Sequence, residues 1–142
     1  MTDVTTRVDH TAKAFDTDLQ EITRKVAEMG GLVERQIADS VQALVDRDIE
    51  LGERVIALDP TIDALQREVE EKCILTIARR QPMAVDLREC VGAMRVCNDL
   101  ERIGDHATNI AETVYYMIEG RPITDQRPKG DTTSFPAGVL QK

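Results

Sequence analysis

Apolar side chains recur every three or four residues along most of this chain, the spacing that places them on one face of an α-helix. Three such rows predict amphipathic helices over about residues 10–46, 48–80 and 82–119. The first row contains Phe15, Leu19, Ile22, Val26, Met29, Val33, Ile37, Val41 and Leu44. The second contains Leu51, Val55, Leu58, Ile62, Leu65, Val69, Cys73 and Thr76, and the third Val96, Leu100, Ile103, Ala107, Ile110, Val114 and Met117. We expect these rows to form the core.

Two prolines interrupt the helical pattern. Pro60 lies within the second row, where it either kinks one helix or begins a new one that Asp59 caps. Pro82 suits the first turn of the third helix, because a proline there loses no hydrogen bond. The connections on either side of the second helix are short, so neighbouring helices must run antiparallel.

These elements predict an all-α fold, an antiparallel three-helix bundle with long helices and coiled-coil-like packing. No alternating strand pattern occurs in the sequence. Residues 1–9 are expected to be a flexible N-terminus. Residues 121–142 contain proline, glycine, threonine and charged residues without a periodic apolar row, and they predict a disordered tail.

The acidic composition limits the classes of partner. The net charge of −8 argues against nucleic-acid binding, which needs clustered Lys and Arg. It suits a cation or a basic protein partner instead. The three cysteines have no CxxC spacing and indicate a reducing compartment. No secretion signal and no apolar stretch long enough for membrane insertion occurs, so we expect a cytoplasmic protein.

Acidic residues four positions apart provide the candidate chemistry. Glu101, Asp105 and Asn109 form one row on the third helix, and Asp59 and Asp63 repeat the spacing on the second. Such oxygen atoms either form a solvated helix face or hold a hard cation. A helical wheel places the row of the third helix opposite its apolar row, so we expect it at the surface.

The sequence does not indicate an enzyme. It contains no Ser-His-Asp set, glycine-rich phosphate loop or HExxH motif, and its two histidines limit acid–base chemistry to carboxylates. We therefore assign no catalytic residues.

The stretch Asn98-Asp99-Leu100-Glu101-Arg102-Ile103-Gly104-Asp105, followed by Asn109-Ile110, closely resembles the signature of the PhoU family of bacterial phosphate-uptake regulators. The stretches Phe15–Leu19, Ala38–Leu44, Asp59–Glu71 and Ile77–Pro82 also resemble that family. The resemblance covers about residues 10–125. Family members have two tandem three-helix bundles, whereas this sequence resembles one.

The resemblance implies a negative regulator of the phosphate-starvation response, an adaptor between a phosphate ABC transporter ATPase and a phosphate-sensing histidine kinase. It also implies metal binding through acidic E(D)xxxD motifs, which Glu101 to Asp105 fit and whose spacing Asp59 and Asp63 repeat. The cation would be divalent or iron (Mg, Mn, Fe or Zn), and two chains would pair as a homodimer. Two alternatives remain: an inactive or purely structural helix-bundle fragment, and a metal-dependent phosphatase.

Overall fold

Three helices account for nearly all of the described residues. The computed structural model describes the backbone of residues 3–123 and the side chains of residues 12–123. The helices are α1 (Asp3–Asp46), α2 (Ile49–Arg80) and α3 (Ala84–Glu119). Residues 3–9, predicted to be flexible, are helical, and residues 124–142 of the predicted tail lie outside the described residues. Across the described part of the chain, no helix combines the length and apolar character needed to cross a membrane.

Backbone geometry and a capping side chain produce the sharp turn between α1 and α2. Arg47 adopts a left-handed conformation (φ 53°), and the Asp48 N–H donates to the carbonyl of Ala43 at 2.9 Å. This bond satisfies one of the carbonyl groups in the last turn of α1. The Asp48 Oδ1 then accepts from the Leu51 N–H at 3.0 Å and caps α2. Asp48 therefore serves both helices.

Helix α2 continues through Pro60. Proline cannot donate to the carbonyl four residues earlier, but the α-helix extends from Ile49 to Arg80 around it. No new helix begins at Pro60, so Asp59 is an interior residue of α2 rather than a cap. Its side chain is 2% exposed.

The chain forms two compact units, each built from parts of all three helices. The first unit contains residues 3–31 and 63–100 of the described chain. Ion pairs link α1 and α2 in this unit. Residues that come earlier in α1 pair with residues that come later in α2. The two helices therefore run antiparallel. The pairs are Lys25–Glu68 at 2.9 Å, Glu21–Lys72 at 2.6 Å and Asp18–Arg80 at 3.2 Å.

Three thiols lie in the core of the first unit. Cys73, Cys90 and Cys97 are free cysteines with 0% exposure. Burial raises the pKa of Cys73 and of Cys97 to about 11 and also raises the pKa of Cys90, because the charged thiolate is poorly solvated there. The thiols therefore act as small apolar side chains.

The second unit contains residues 32–62 and 101–123 of the described chain. A methyl group built on Gly104 would contact Val33 of α1 and Ile62 of α2. At the other end of the unit, one on Gly52 would lie 3.9 Å from the Ala111 Cβ. Later residues of α3 thus meet earlier residues of α2, so these two helices run antiparallel. The all-α class and the three-helix arrangement are confirmed.

The three predicted apolar rows differ in how much of each is buried. The row of α2 is confirmed, since Val55, Ile62, Leu65, Val69, Cys73 and Thr76 are buried. The row of α1 is confirmed as far as Val33 and wrong beyond it, because Ile37, Val41 and Leu44 are exposed. The row of α3 is mostly wrong, because Val96, Ile103, Ile110 and Met117 are exposed. The buried side of α3 consists of Cys90, Cys97, Glu101, Gly104, Ala107, Thr108, Ala111 and Val114.

Candidate functional site

The predicted acidic row of α3 lies on the buried side of the helix. Glu101 is only 8% exposed, and Asp105 and Asn109 are half-buried. The prediction of a surface row opposite the core is therefore wrong. The helical wheel centred the core on the large aliphatic residues of α3, whereas the helix packs through its small ones.

Gly104 explains why α3 packs through this side. A methyl group on Gly104 would lie 2.9 Å from Oε1 of Gln36 and 3.7 Å from Cγ2 of Val33, both on α1. The first distance is shorter than carbon and oxygen atoms tolerate. With glycine at this position, α1 and α3 approach each other without displacing the buried side chain of Gln36. The close approach carries the neighbouring Glu101 and Asp105 inward.

Two buried polar residues accompany this contact and were not predicted. Gln36 is 1% exposed, and its Nε2 donates to the carbonyl of Val55 at 3.1 Å. Thr108 is 0% exposed, and its Oγ1 donates to the carbonyl of Gly104 at 3.0 Å. The buried face of α1 continues as a row in steps of three and four that includes polar residues. Its members are Met29, Val33, Gln36, Ser40 and Ala43. A search restricted to apolar residues misses such a row.

The second acidic pair is also buried. Asp59 is 2% exposed and Asp63 is 6% exposed. Asp59 belongs to the same compact unit as Glu101, Asp105 and Asn109, whereas Asp63 belongs to the other unit. Within the shared unit, Ile62 Cδ1 lies 3.9 Å from the position of a Gly104 methyl group, so the turn of α2 that carries Asp59 and Ile62 packs near that part of α3.

The buried carboxylates restrict what the site can do. Burying a carboxylate is unfavourable unless hydrogen bonds, opposite charges or a metal ion compensate it. Asp59, Asp63, Glu101 and Asp105 each make interactions within the chain, so their burial alone does not require a cation. Across residues 12–123, no three His, Cys, Asp or Glu side chains are placed to hold a metal ion together. The predicted metal site at Glu101, Asp105, Asn109, Asp59 and Asp63 therefore stays a prediction.

Comparison with known proteins identifies the family. Residues 26–114 match the PhoU domain. The chain is 50% identical over 105 residues to a phosphate-specific transport system accessory protein PhoU homolog of Rhizobium meliloti (strain 1021), a match that covers 74% of this chain and 44% of that protein. It is 42% identical over 116 residues to a protein of the same description from Caulobacter vibrioides (strain NA1000 / CB15N), covering 82% of this chain and 50% of the relative.

A third relative has a similar level of identity. The PhoU homolog of Clostridium acetobutylicum is 41% identical over 105 residues, 73% of this chain and 48% of its own. The chain thus spans about half the length of the curated relatives it matches. Because the PhoU domain covers well over half of the chain, including Asp59, Glu101, Gly104 and Asp105, the protein belongs to the PhoU domain family.

Proposed function

We propose that this protein is a negative regulator of the phosphate-starvation response, acting in the cytoplasm as an adaptor between a phosphate ABC transporter ATPase and its sensor histidine kinase. The match of residues 26–114 to the PhoU domain carries the proposal. Relatives up to 50% identical are phosphate-specific transport system accessory proteins, which supports a role beside a phosphate transporter.

The proposed role is one of binding rather than catalysis. An adaptor presents surfaces to two partners, and the exposed faces of the helices provide such surfaces. The net charge of −8 favours partner surfaces rich in Lys and Arg, since complementary charge accelerates association and disfavours wrong partners. We also propose that the protein is a homodimer.

The regulatory proposal is tested in phosphate-replete cells that lack the gene. Alkaline phosphatase activity reports the starvation response. We expect deletion to raise this activity and expression of the 142-residue chain to restore repression. Immunoblotting confirms that the chain accumulates. A helical protein of unrelated sequence, expressed from the same vector, serves as the control.

A second candidate function has its own observation. The chain spans 44% of the length of the Rhizobium meliloti relative, so it matches only part of a related protein. If the full-length relative restores repression and an equally abundant 142-residue chain does not, the chain is a folded structural module without regulatory activity. That result would contradict the regulatory proposal.

We further propose that a divalent or iron cation binds at the Glu101–Asp105 pair of α3, with the amide oxygen of Asn109 beside it; the Asp59–Asp63 pair of α2 repeats this spacing. Oxygen ligands suit hard cations such as Mg²⁺ and Mn²⁺, and negative charge held in a buried position favours binding a cation. The carboxylate of Glu101 is only 8% exposed, which supports the proposal.

The metal proposal is tested with near-isosteric variants. Glu101→Gln with Asp105→Asn removes two charges at nearly constant volume, and we expect it to lower both metal content by elemental analysis and the Mn²⁺-induced rise in Tm. The matched control, Asp99→Asn with Glu119→Gln, removes two exposed charges from the same helix. Equal metal content in both variants would contradict the assignment.

A further inference from the structure

The second compact unit has an apolar surface that its own packing does not cover. Seven large apolar side chains of α1 and α3 in this unit are between 37% and 70% exposed. We name this set the α1–α3 apolar patch; it consists of Ile37, Val41, Leu44, Val45, Ile103, Ile110 and Met117. Isolated exposed apolar residues are common, but a contiguous set marks an interaction surface.

The two helices present the patch side by side. Leu44 of α1 lines the same groove, of about 440 Å³, as Ile110 and Met117 of α3. At the other end of the unit, Val33 of α1 meets α3 at Gly104. Within this unit, Val33 precedes Leu44 on α1 just as Gly104 precedes Ile110 and Met117 on α3. The two helices therefore run in the same direction along the patch.

The spacing within the patch is that of a helix–helix interface. Ile103, Ile110 and Met117 are seven residues apart, and Ile37, Val41 and Leu44 are separated by four and three. Side chains at these intervals interlock with another helix that has the same intervals. The occupant that fits is therefore a pair of helices with matching spacing, which a second copy of this chain supplies.

The charge distribution allows two copies to meet here. The chain carries a net charge of −8, which opposes self-association over most of its surface. No acidic residue belongs to the patch or to the lining of its groove, where the polar members are His106, Asn109 and Thr113. Two copies joined through the patch therefore bring apolar rather than like-charged groups together.

The area is sufficient for a dimer. From their fractional exposures, the seven side chains contribute on the order of 500 Å² per copy and about 1,000 Å² for a pair, which reaches the size of a specific interface. We propose that the α1–α3 apolar patch is the homodimer interface, with two copies related by a two-fold axis that runs along the groove between α1 and α3. This names the surface for the homodimer proposed above and does not depend on the regulatory role.

The two-fold axis fixes which helices face each other. Because the axis runs parallel to α1 and α3, rotation places α1 of one copy against α3 of the other, with the two helices parallel. Residues at the same height along the groove then face each other. Val41 of each copy is therefore expected to lie near Ile110 of its partner copy.

The first experiment measures the oligomeric state of the full chain by sedimentation over about 1–200 µM, a range that spans common dimer affinities. We expect a wild-type dimer, and Ile103→Lys with Ile110→Lys should raise its dissociation constant at least ~30-fold by placing charge in the interface. The matched control, Ile74→Lys with Val85→Lys, changes two exposed apolar residues of the other unit and should leave the dimer intact. A wild-type chain that stays monomeric throughout would overturn the proposal and leave the patch to a different partner or to residues 124–142.

A second measurement covers the case in which the lysine variant does not fold. Val41→Cys protein mixed with Ile110→Cys protein should form a disulfide-linked pair under mild oxidation, whereas Ile74→Cys mixed with Val85→Cys should not. The three native cysteines are fully buried and do not compete. A wild-type dimer combined with no cross-link between the Val41→Cys and Ile110→Cys chains would exclude this two-fold arrangement. Neither measurement uses phosphate regulation, so failure here is separate from failure of the proposed function.

Discussion

The two sides of α3 contrast in a way that reverses the usual expectation. The buried side contains small, polar and thiol side chains, among them Gly104, Thr108 and Cys97, whereas Ile103 and Ile110 on the other side are 41% and 37% exposed. Close approach explains the buried side, because small residues bring helix backbones together and increase the contact between their neighbours. The size of the side chains therefore did not decide which face of α3 forms the core.

Truncating a residue that packs against the buried side of α3 should destabilise the fold most. Ile62 is 0% exposed, and its Cδ1 lies 3.9 Å from the position of a Gly104 methyl group. Ile62→Ala should lower the free energy of unfolding by about 2–5 kcal/mol, because it leaves a cavity that the helices cannot fill.

Urea denaturation measures this loss, and an isoleucine on the opposite side of α3 provides the control. Ile103→Ala removes the same atoms from a side chain that is 41% exposed. Its effect on the monomer should be about 1 kcal/mol or less. Equal losses for the two variants, measured at a concentration where the chain is monomeric, would contradict the assignment of the buried and exposed sides.

The next effect depends on pH and tests two buried thiols of the first unit, Cys73 of α2 and Cys97 on the buried side of α3. The folded-state pKa of Cys73 and of Cys97 is about 11, above the ordinary value of 9.0. The unfolded chain therefore loses these protons first as the pH rises. The stability contributed by the neutral thiols is complete below about pH 9 and is lost progressively between about pH 9 and 11.

Denaturation at pH 8 and pH 10 checks this direction. The free energy of unfolding should be lower at pH 10 than at pH 8. In the Cys73→Ala/Cys97→Ala double variant, this decrease from its own value at pH 8 should be smaller. At pH 8 the native thiols should also react with a thiol reagent only as fast as the chain unfolds. Rapid labelling of the native chain would show that these thiols are accessible.

Gly104 tests the close approach directly. Gly104→Ala should destabilise the fold by about 1–3 kcal/mol, because the added methyl group meets Gln36 Oε1, which belongs to a buried side chain that a hydrogen bond to Val55 holds in place. This loss is the net value after a gain of about 1 kcal/mol, because alanine has a greater helical propensity than glycine.

Gly92 is the matched control on the same helix. No atom lies within 4 Å of a methyl group built there. Gly92→Ala should therefore raise the Tm, through a gain of about 0.5–1 kcal/mol from the greater helical propensity of alanine. A Gly104→Ala chain that is stabilised to the same degree would contradict the steric account.

The sequence predicted the fold better than it predicted the site. Apolar periodicity identified three helices and the buried row of α2, because Val55, Ile62 and Val69 are both large and buried. It misplaced the core of α3, because the contact of Gly104 with Gln36 depends on the tertiary approach of two helices and leaves no apolar signal. Glu101 was expected at the surface for the same reason. The resemblance of residues 98–109 to PhoU proteins was specific enough to predict the family but not the burial of its acidic residues.

The smallest expected effect isolates burial from hydrogen bonding. Thr108 and Thr113 of α3 make the same bond, from Oγ1 to the carbonyl four residues earlier, at 3.0 and 2.9 Å. Thr108 is fully buried and Thr113 is half-buried. Replacing either with valine exchanges the hydroxyl for a methyl group of similar size. Thr108→Val should cost about 1 kcal/mol, because the buried hydrogen bond is lost without replacement by water.

Thr113→Val should cost less than about 0.5 kcal/mol, since water reaches the groove beside it and its lost bond is partly replaced. Thermal denaturation of both variants under one set of conditions cancels the difference in helical propensity between threonine and valine. The contrast between the two sides of α3 predicts a clear gap between the two values. If Thr113→Val were the more damaging change, the half-buried side of α3 would be the better packed one, and the α1–α3 apolar patch would be covered in the folded chain.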